Sequence, residues 1–254
     1  MKPSVFVGCC GWAIKGGKQA YYNRLKTIEL QETFYKLPKL DTVRKWKESA
    51  PKDFIFNMKA WQVVTHPSSS ATWRKAGIKV PEGVKENYGN LKPTKENFEA
   101  WNKTVEVAKV IEAAVVVVQT PPSFGYTEKN FENVDKFFSK IQREGFEIGW
   151  EPRGSWREKP DAVKELCERH SLIHITDIFR WRPVRKHKLF YTRLHGIGSG
   201  EVNYSYKYTD DDLAKLRQMV ADESEGRDAC YVLFNNISMA DDALRFKQLL
   251  EAFI

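Results

Sequence analysis

Ala113-Ala114-Val115-Val116-Val117-Val118-Gln119-Thr120-Pro121-Pro122 is the stretch whose reading decides the fold. Its apolar run leaves no polar face, as expected of a strand covered on both sides. Such strands belong to parallel sheets, because the crossover helices of βαβ units lie over both faces. The prolines end the strand, since neither can donate the N–H a central ladder needs. Gln119 is therefore expected at a strand's C-terminal end.

The same rhythm extends outward in both directions. An amphipathic helix from Thr94 to about Ala108 precedes this strand, and a helix from about Asn130 to Arg143 follows it. The next strand comes in through Phe146, Glu147 and Ile148 and stops at Glu151 because Pro152 follows. Further strands are read at Val5–Gly8, Thr27–Gln31, Phe54–Lys59, Leu172–Asp177, Phe190–His195 and Cys230–Asn235. Helices fall at about Asp41–Ala50, Asp161–Arg169 and Asp210–Glu223, with a last one running to about Phe253. Eight strands alternating with helices point to an α/β protein, a single (β/α)8 TIM barrel in which residues 1–254 form one domain. No Gly-rich phosphate loop of Rossmann or Walker type follows any strand, which disfavours a doubly wound sheet. Residues 62–94 break the rhythm with Thr65-His66-Pro67-Ser68-Ser69-Ser70 and a Trp73-Arg74-Lys75 cluster. They read as a long insertion after strand 3 with little regular structure, forming a loop or lid.

The 254 residues are 42% apolar, a globular composition and not a disordered one. Lys and Arg outnumber Asp and Glu by 41 to 33, a net charge of +8 that suits an anionic partner. Met1-Lys2-Pro3-Ser4 carries no signal-peptide core, and no apolar run approaches the roughly 20 residues of a membrane span. A cytoplasmic protein without a membrane partner is expected. Cys9, Cys10, Cys167 and Cys230 have no CxxC spacing, so reduced thiols are expected and zinc on them is not.

Barrel enzymes assemble their sites at the C-terminal ends of the strands. Those ends carry Trp12, then Glu29 and Gln31, Lys59, Gln119, Glu151 with Arg153, Asp177, Arg193 with His195, and Asn235. Every strand after the first ends on a residue that can be charged or hydrogen-bond, and the succession marks a functional site. Glu29, Glu151 and Asp177 can exchange protons, while Lys59, Arg153 and Arg193 suit a phosphate or a developing oxyanion. His195 is the strand-end imidazole and the natural proton shuttle. His174 has the opposite parity to Asp177 and is expected to face the helices. A single Mg²⁺ or Mn²⁺ on Glu151 and Asp177 is compatible with the residues, though the spacing does not demand it. Trp12, Trp61, Trp156 and Trp181 lie just past strand ends, where flat rings can stack on bases or sugars or pack beneath the loops. The cation-dense run from Arg180 to Lys188 could follow a phosphate backbone in its first half.

Several of these motifs together resemble a known family. Gly8-Cys9-Cys10-Gly11-Trp12, Glu29 with Thr33-Phe34-Tyr35-Lys36-Leu37-Pro38, Lys59, Thr65-His66, Gln119 with Pro121-Pro122-Ser123-Phe124, Glu151-Pro152-Arg153 with Ser155-Trp156, Asp177, Arg193-Leu194-His195-Gly196 and Phe234-Asn235-Asn236 look like the signature of the DUF72 (YecE-like) family. That resemblance covers nearly the whole chain and implies a TIM barrel, with Tyr35 and His66 joining the strand-end residues. Where the family commonly has Asn-Ser before Thr-Phe-Tyr, this chain has Gln31-Glu32, and its opening Gly-Thr-Ser-Gly-Trp pattern carries Cys9-Cys10. The family's function is unassigned, and a resemblance to barrel endonucleases has been suggested for it.

The reading that joins these strands is an enzyme acting on a phosphate-containing substrate, DNA or RNA by preference, through phosphodiester hydrolysis. Glu151 is its general base or metal ligand, Asp177 the partner of Glu151, His195 the general acid, and Lys59, Arg153 and Arg193 the phosphate clamp. Gln31, Gln119, Asn235, Trp12, Tyr35, His66 and Trp156 complete the substrate contacts. One alternative is a carbohydrate-active hydrolase or isomerase using Glu29 and Glu151 as a carboxylate pair. Another is a nucleic-acid-binding protein without catalysis.

Overall fold

A computed structural model describes residues 3–143 and 145–252. Its eight strands are β1 (Ser4–Cys10), β2 (Thr27–Leu30), β3 (Ile55–Lys59), β4 (Val115–Gln119), β5 (Glu147–Glu151), β6 (Ile173–His174), β7 (Leu189–Leu194) and β8 (Ala229–Phe234). They form one sheet in the order β6-β5-β4-β3-β2-β1-β8-β7. The pairings β1–β2, β1–β8, β3–β4, β4–β5, β5–β6 and β7–β8 are parallel. Sequential strands lying side by side, with β8 returning to β1, is the order of the (β/α)8 barrel expected from the sequence.

The helices are α1 (Gly17–Tyr22), α2 (Glu32–Tyr35), α3 (Leu40–Ser49), α4 (Gln62–Thr65), α5 (Lys95–Ile111), α6 (Glu128–Phe138), α7 (Pro160–Arg169), α8 (Asp210–Ser224) and α9 (Met239–Glu251). Threonine hydroxyls start three of them: Thr94, Thr127 and Thr209 accept the N–H of Asn97, Asn130 and Asp212. Asp212 answers Thr209 with its own carboxylate, completing a capping box. The helices α1 and α2 were not legible as helices, because six and four residues are too few to display a period. The helix expected to reach Arg143 stops at Phe138, where Arg143 folds back and donates to the Phe138 carbonyl at 2.8 Å. Phe253, the expected end of the last helix, lies outside the described residues.

The chain forms two compact units. One comprises Met1–Glu29, Ala50–Ile55 and Ile175–Ile254; the other comprises Leu30–Ser49 and Phe56–His174. In the second, Val115 to Val118 are fully buried together with Trp101, Phe137 and Trp150, as the unbroken apolar run requires. In the first, Tyr21, Tyr191, Phe234 and Phe246 fill the core, and Cys9 and Cys230 are wholly buried with them. Cys9, Cys10, Cys167 and Cys230 are all free thiols.

Residues 62–94 hold more regular structure than their composition suggests. They contain α4 and two 3₁₀ turns, Ala71–Lys75 and Glu82–Asn87. Asn97 on α5 ties the segment down: its Oδ1 accepts the Gly89 N–H at 2.9 Å, and its Nδ2 donates to the carbonyls of Gly89 at 3.0 Å and Lys92 at 2.9 Å. Gly89 is required there, at φ +73°, because a Cβ would lie 2.1 Å from the His66 carbonyl oxygen.

Candidate functional site

Within the second unit, β3, β4 and β5 end on Lys59, Gln119 and Glu151, and the ladder sets Gln119 opposite Glu151. The Lys59 ammonium donates to Gln119 Oε1 at 2.9 Å and sits 3.9 Å from the centroid of the Phe34 ring. That ring presents its electron-rich π face to the buried ammonium. Thr33 donates its hydroxyl to the Lys59 carbonyl at 2.7 Å, joining the start of α2 to the end of β3.

Glu151 Oε1 accepts two hydrogen bonds from Arg153, from Nε at 2.9 Å and Nη2 at 2.7 Å. The turn Glu151-Pro152-Arg153-Gly154 makes this possible. Pro152 ends the strand, and Gly154, at φ +68°, reverses the chain where a Cβ would meet the Pro122 carbonyl oxygen at 2.3 Å. The pair is nearly buried, with 7% of the Glu151 and 13% of the Arg153 side chain exposed.

His66 follows α4 and is buried with its ring edge-on to Phe34 at 5.0 Å. Its Nδ1 lies 2.8 Å from the Thr65 hydroxyl. Burial, reinforced by the positive charges of Lys59 and Arg153, pushes its pKa down to about 3. The imidazole is therefore neutral at pH 7, and the two cations act on it together. His174 is likewise held at about 3 by burial, which the nearby Glu151 charge only partly opposes.

The aromatic residues divide. Tyr35 is 38% exposed, with the Lys75 ammonium 5.0 Å from its ring centroid. Trp156 is wholly buried: its N–H donates to the Phe124 carbonyl at 2.7 Å, and Trp150 and Tyr126 pack edge-on against it at 5.0 and 5.3 Å. It supports the turn after β5 and offers no open ring face. Gln31 immediately precedes α2 and is half-buried.

In the first unit, Glu29 ends the part of β2 that pairs with β1 and is completely buried. Its Oε2 accepts Tyr191 Oη at 2.9 Å and Arg193 Nε at 3.0 Å, and its Oε1 lies 2.9 Å from Arg193 Nη2. Parity predicts that Tyr191 and Arg193 share a face of β7, and both reach the same carboxylate. Asp177 Oδ1 accepts the Phe179 N–H at 3.1 Å and Oδ2 the His195 N–H at 2.8 Å, so the carboxylate ties the turn after β6 to the end of β7. His195 is buried with Nδ1 3.8 Å from that carboxylate. Arg180 turns onto the carbonyls of Gly196, Gly198 and Gly200, and Arg182 pairs with Glu223 at 3.1 Å. The basic run is thus partly occupied in holding loops. Asn235, half-buried, donates its backbone N–H to the Leu194 carbonyl at 2.8 Å. Trp12 packs edge-on to Tyr21 and Tyr22 at 5.3 and 5.5 Å, with Lys18 5.0 Å from its ring centroid.

The residue roles missed in the sequence are those of supporting side chains: Phe34 under Lys59, Thr65 beside His66, and Tyr191 on Glu29. Tyr191 shares strand parity with Arg193 and Thr65 adjoins His66 at the end of α4, whereas Phe34 sits within α2 and carried no such signal. Both oxygens of Asp177 are engaged by backbone N–H groups and Glu151 is engaged by Arg153, and no cluster of three or more His, Cys, Asp or Glu suited to a metal occurs among the described residues.

Residues 6–253 match the sequence profile described as Protein of unknown function DUF72. The chain is 23% identical to the UPF0759 protein YunF of Bacillus subtilis strain 168, over 97% of this chain and 94% of that protein. A crystal structure of a DUF72 family protein from Thermotoga maritima superposes with a TM-score of 0.72 at 24% identity, covering 98% of this chain and 99% of the other. The fold is also that of endonuclease IV from Thermus thermophilus, with a TM-score of 0.56 at 12% identity over 98% and 100% of the two chains. A D-tagatose 3-epimerase-like protein shares it as well, with a TM-score of 0.53 at 16% identity over 100% and 97%. No helix among the described residues is long and apolar enough to cross a membrane.

Proposed function

The chain belongs to the DUF72 family, and on that premise we propose that it is an enzyme acting on a phosphate-containing substrate, with nucleic acid the favoured class and phosphodiester hydrolysis the reaction. The observation that carries this reading is the group Lys59, Gln119, Glu151, Arg153 and His66 of the second unit. Two cations and an amide donor gather at strand ends in a poorly solvated setting, where charge acts strongly. The single carboxylate, Glu151, is held by one of those cations.

A phosphate diester is the anion this arrangement suits. Its non-bridging oxygens compete with Glu151 for Arg153, and Lys59 neutralises the second charge as it develops. Releasing Arg153 leaves the Glu151 carboxylate able to take a proton from the attacking water as the water oxygen bonds to phosphorus and the bond to the leaving oxygen breaks, the leaving alkoxide taking its proton from solvent. His66, neutral and oriented through Thr65, contributes a hydrogen bond and no charge. The fold shared with endonuclease IV is in keeping with a nucleic-acid substrate. Glu29 has both oxygens bound to Arg193 and Tyr191, which weighs against a glycosidase carboxylate pair.

The test is incubation with end-labelled single- and double-stranded DNA and RNA in Mg²⁺, Mn²⁺ or EDTA, beside Glu151→Gln. Cleavage that falls by about 10²-fold or more in the variant supports the reading. Binding without cleavage, unchanged in Glu151→Gln, would leave a nucleic-acid-binding protein. No cleavage and no binding would remove the phosphodiester.

A further inference from the structure

The first unit carries a cleft of about 500 Å³ that none of the strand-end residues lines. It lies along α9, between the segment that follows β1 and the loop that leads into α9. Ala240 and Leu244, one turn apart on α9, line the cleft with Ile14 and Ile237. Ile237 is 81% exposed, the most exposed large hydrophobic residue among the described residues.

Three cations line the same cleft: Lys15 after β1, Arg24 after α1, and Lys207 before α8. The only acidic lining residue is Asp241, which Lys207 neutralises at 2.9 Å. Lys15 and Arg24 have no ion-pair partner among the described residues, so the lining carries a surplus of positive charge beside the aliphatic side chains of Ile14, Ile237 and Leu244. Solvated surface cations are ordinary, but here separate segments bring them to one cleft together with those aliphatic side chains.

We propose that this cleft is a binding site for a small amphiphilic organic anion, a carboxylate on an aliphatic body, whose chain lies against Ile14, Ile237 and Leu244 and whose charge meets Lys15 and Arg24. Charge complementarity selects the anion, and the exposed Ile237 with its aliphatic neighbours selects the aliphatic body. The site is independent of the phosphodiester reading, since it shares no residue with that chemistry.

Octanoate is the probe, followed through the isoleucine δ1-methyl NMR signals of the whole chain, with octanol as the uncharged control. Octanoate is expected to shift the Ile14 and Ile237 methyls saturably, while the buried Ile111 and Ile148 methyls, far from the lining in sequence, stay in place and report an intact fold. Lys15→Ala/Arg24→Ala is expected to weaken binding by about fivefold or more, and Arg24→Lys to retain it. Equal shifts with octanol, an unchanged affinity in the double alanine variant, or no saturable shift with octanoate would each overturn the proposal.

Discussion

Glu29 illustrates how a polar strand end can be a structural commitment. Its carboxylate and the Arg193 guanidinium are both sealed from water, so each depends on the other for its charge to be tolerated. Glu29→Gln is expected to cost about 3–5 kcal/mol in urea unfolding, because it strands a buried guanidinium. Glu29→Gln/Arg193→Met should cost less than the single change, since it removes the stranded charge as well. His174 offers a second test at this scale. Its folded pKa, about 3, lies below the ordinary value of 6.5, so its contribution to stability is complete above that value. As pH falls from 6.5 toward 3, the unfolded chain takes up a proton that the native protein refuses, and stability drops by up to about 1.4 kcal/mol per pH unit. His174→Gln should flatten the acid limb between pH 6 and 4 by that slope, measured from urea midpoints. An acid limb parallel to that of the unsubstituted protein would contradict the buried neutral imidazole.

At the scale of elements, residues 62–94 are where sequence and structure part most clearly. Ser, Pro and Gly in that stretch read as an irregular insertion, yet Asn97 binds three backbone groups and organises the return to α5. That role is invisible in sequence, because an asparagine in an amphipathic helix pattern looks like a solvated polar position. Asn97→Ala should remove about 2–4 kcal/mol and speed amide exchange at Gly89 and Leu91 while leaving α6 unaffected. Uniform exchange across the chain would place the anchor elsewhere. The strands were legible because β4 is apolar on both faces and Pro152 punctuates β5, whereas β6 is two residues long: beyond it only Thr176 still pairs, bridging Thr192 of β7, and the chain turns at Asp177. Local pattern reports burial and punctuation, and says little about which side chain another chain segment will grip.

For the whole molecule, the (β/α)8 order follows from eight strands alternating with helices, and it made the strand ends the place to look for chemistry. Which of those ends are open to chemistry was not legible, because pairing depends on residues far apart in sequence: Glu29 meets Arg193, and Lys59 meets Gln119 and Phe34. The central claim is that Lys59 and Arg153 receive a phosphate. Fluorescence anisotropy of a labelled single-stranded oligonucleotide, recorded as a function of salt, tests it most directly. Lys59→Gln and Arg153→Gln should each weaken binding and each reduce the slope of log affinity against log salt by about 0.7 to 1, as expected when one phosphate fewer is neutralised. Slopes identical to that of the unsubstituted protein in both variants would contradict the account and move the anion away from these strand ends.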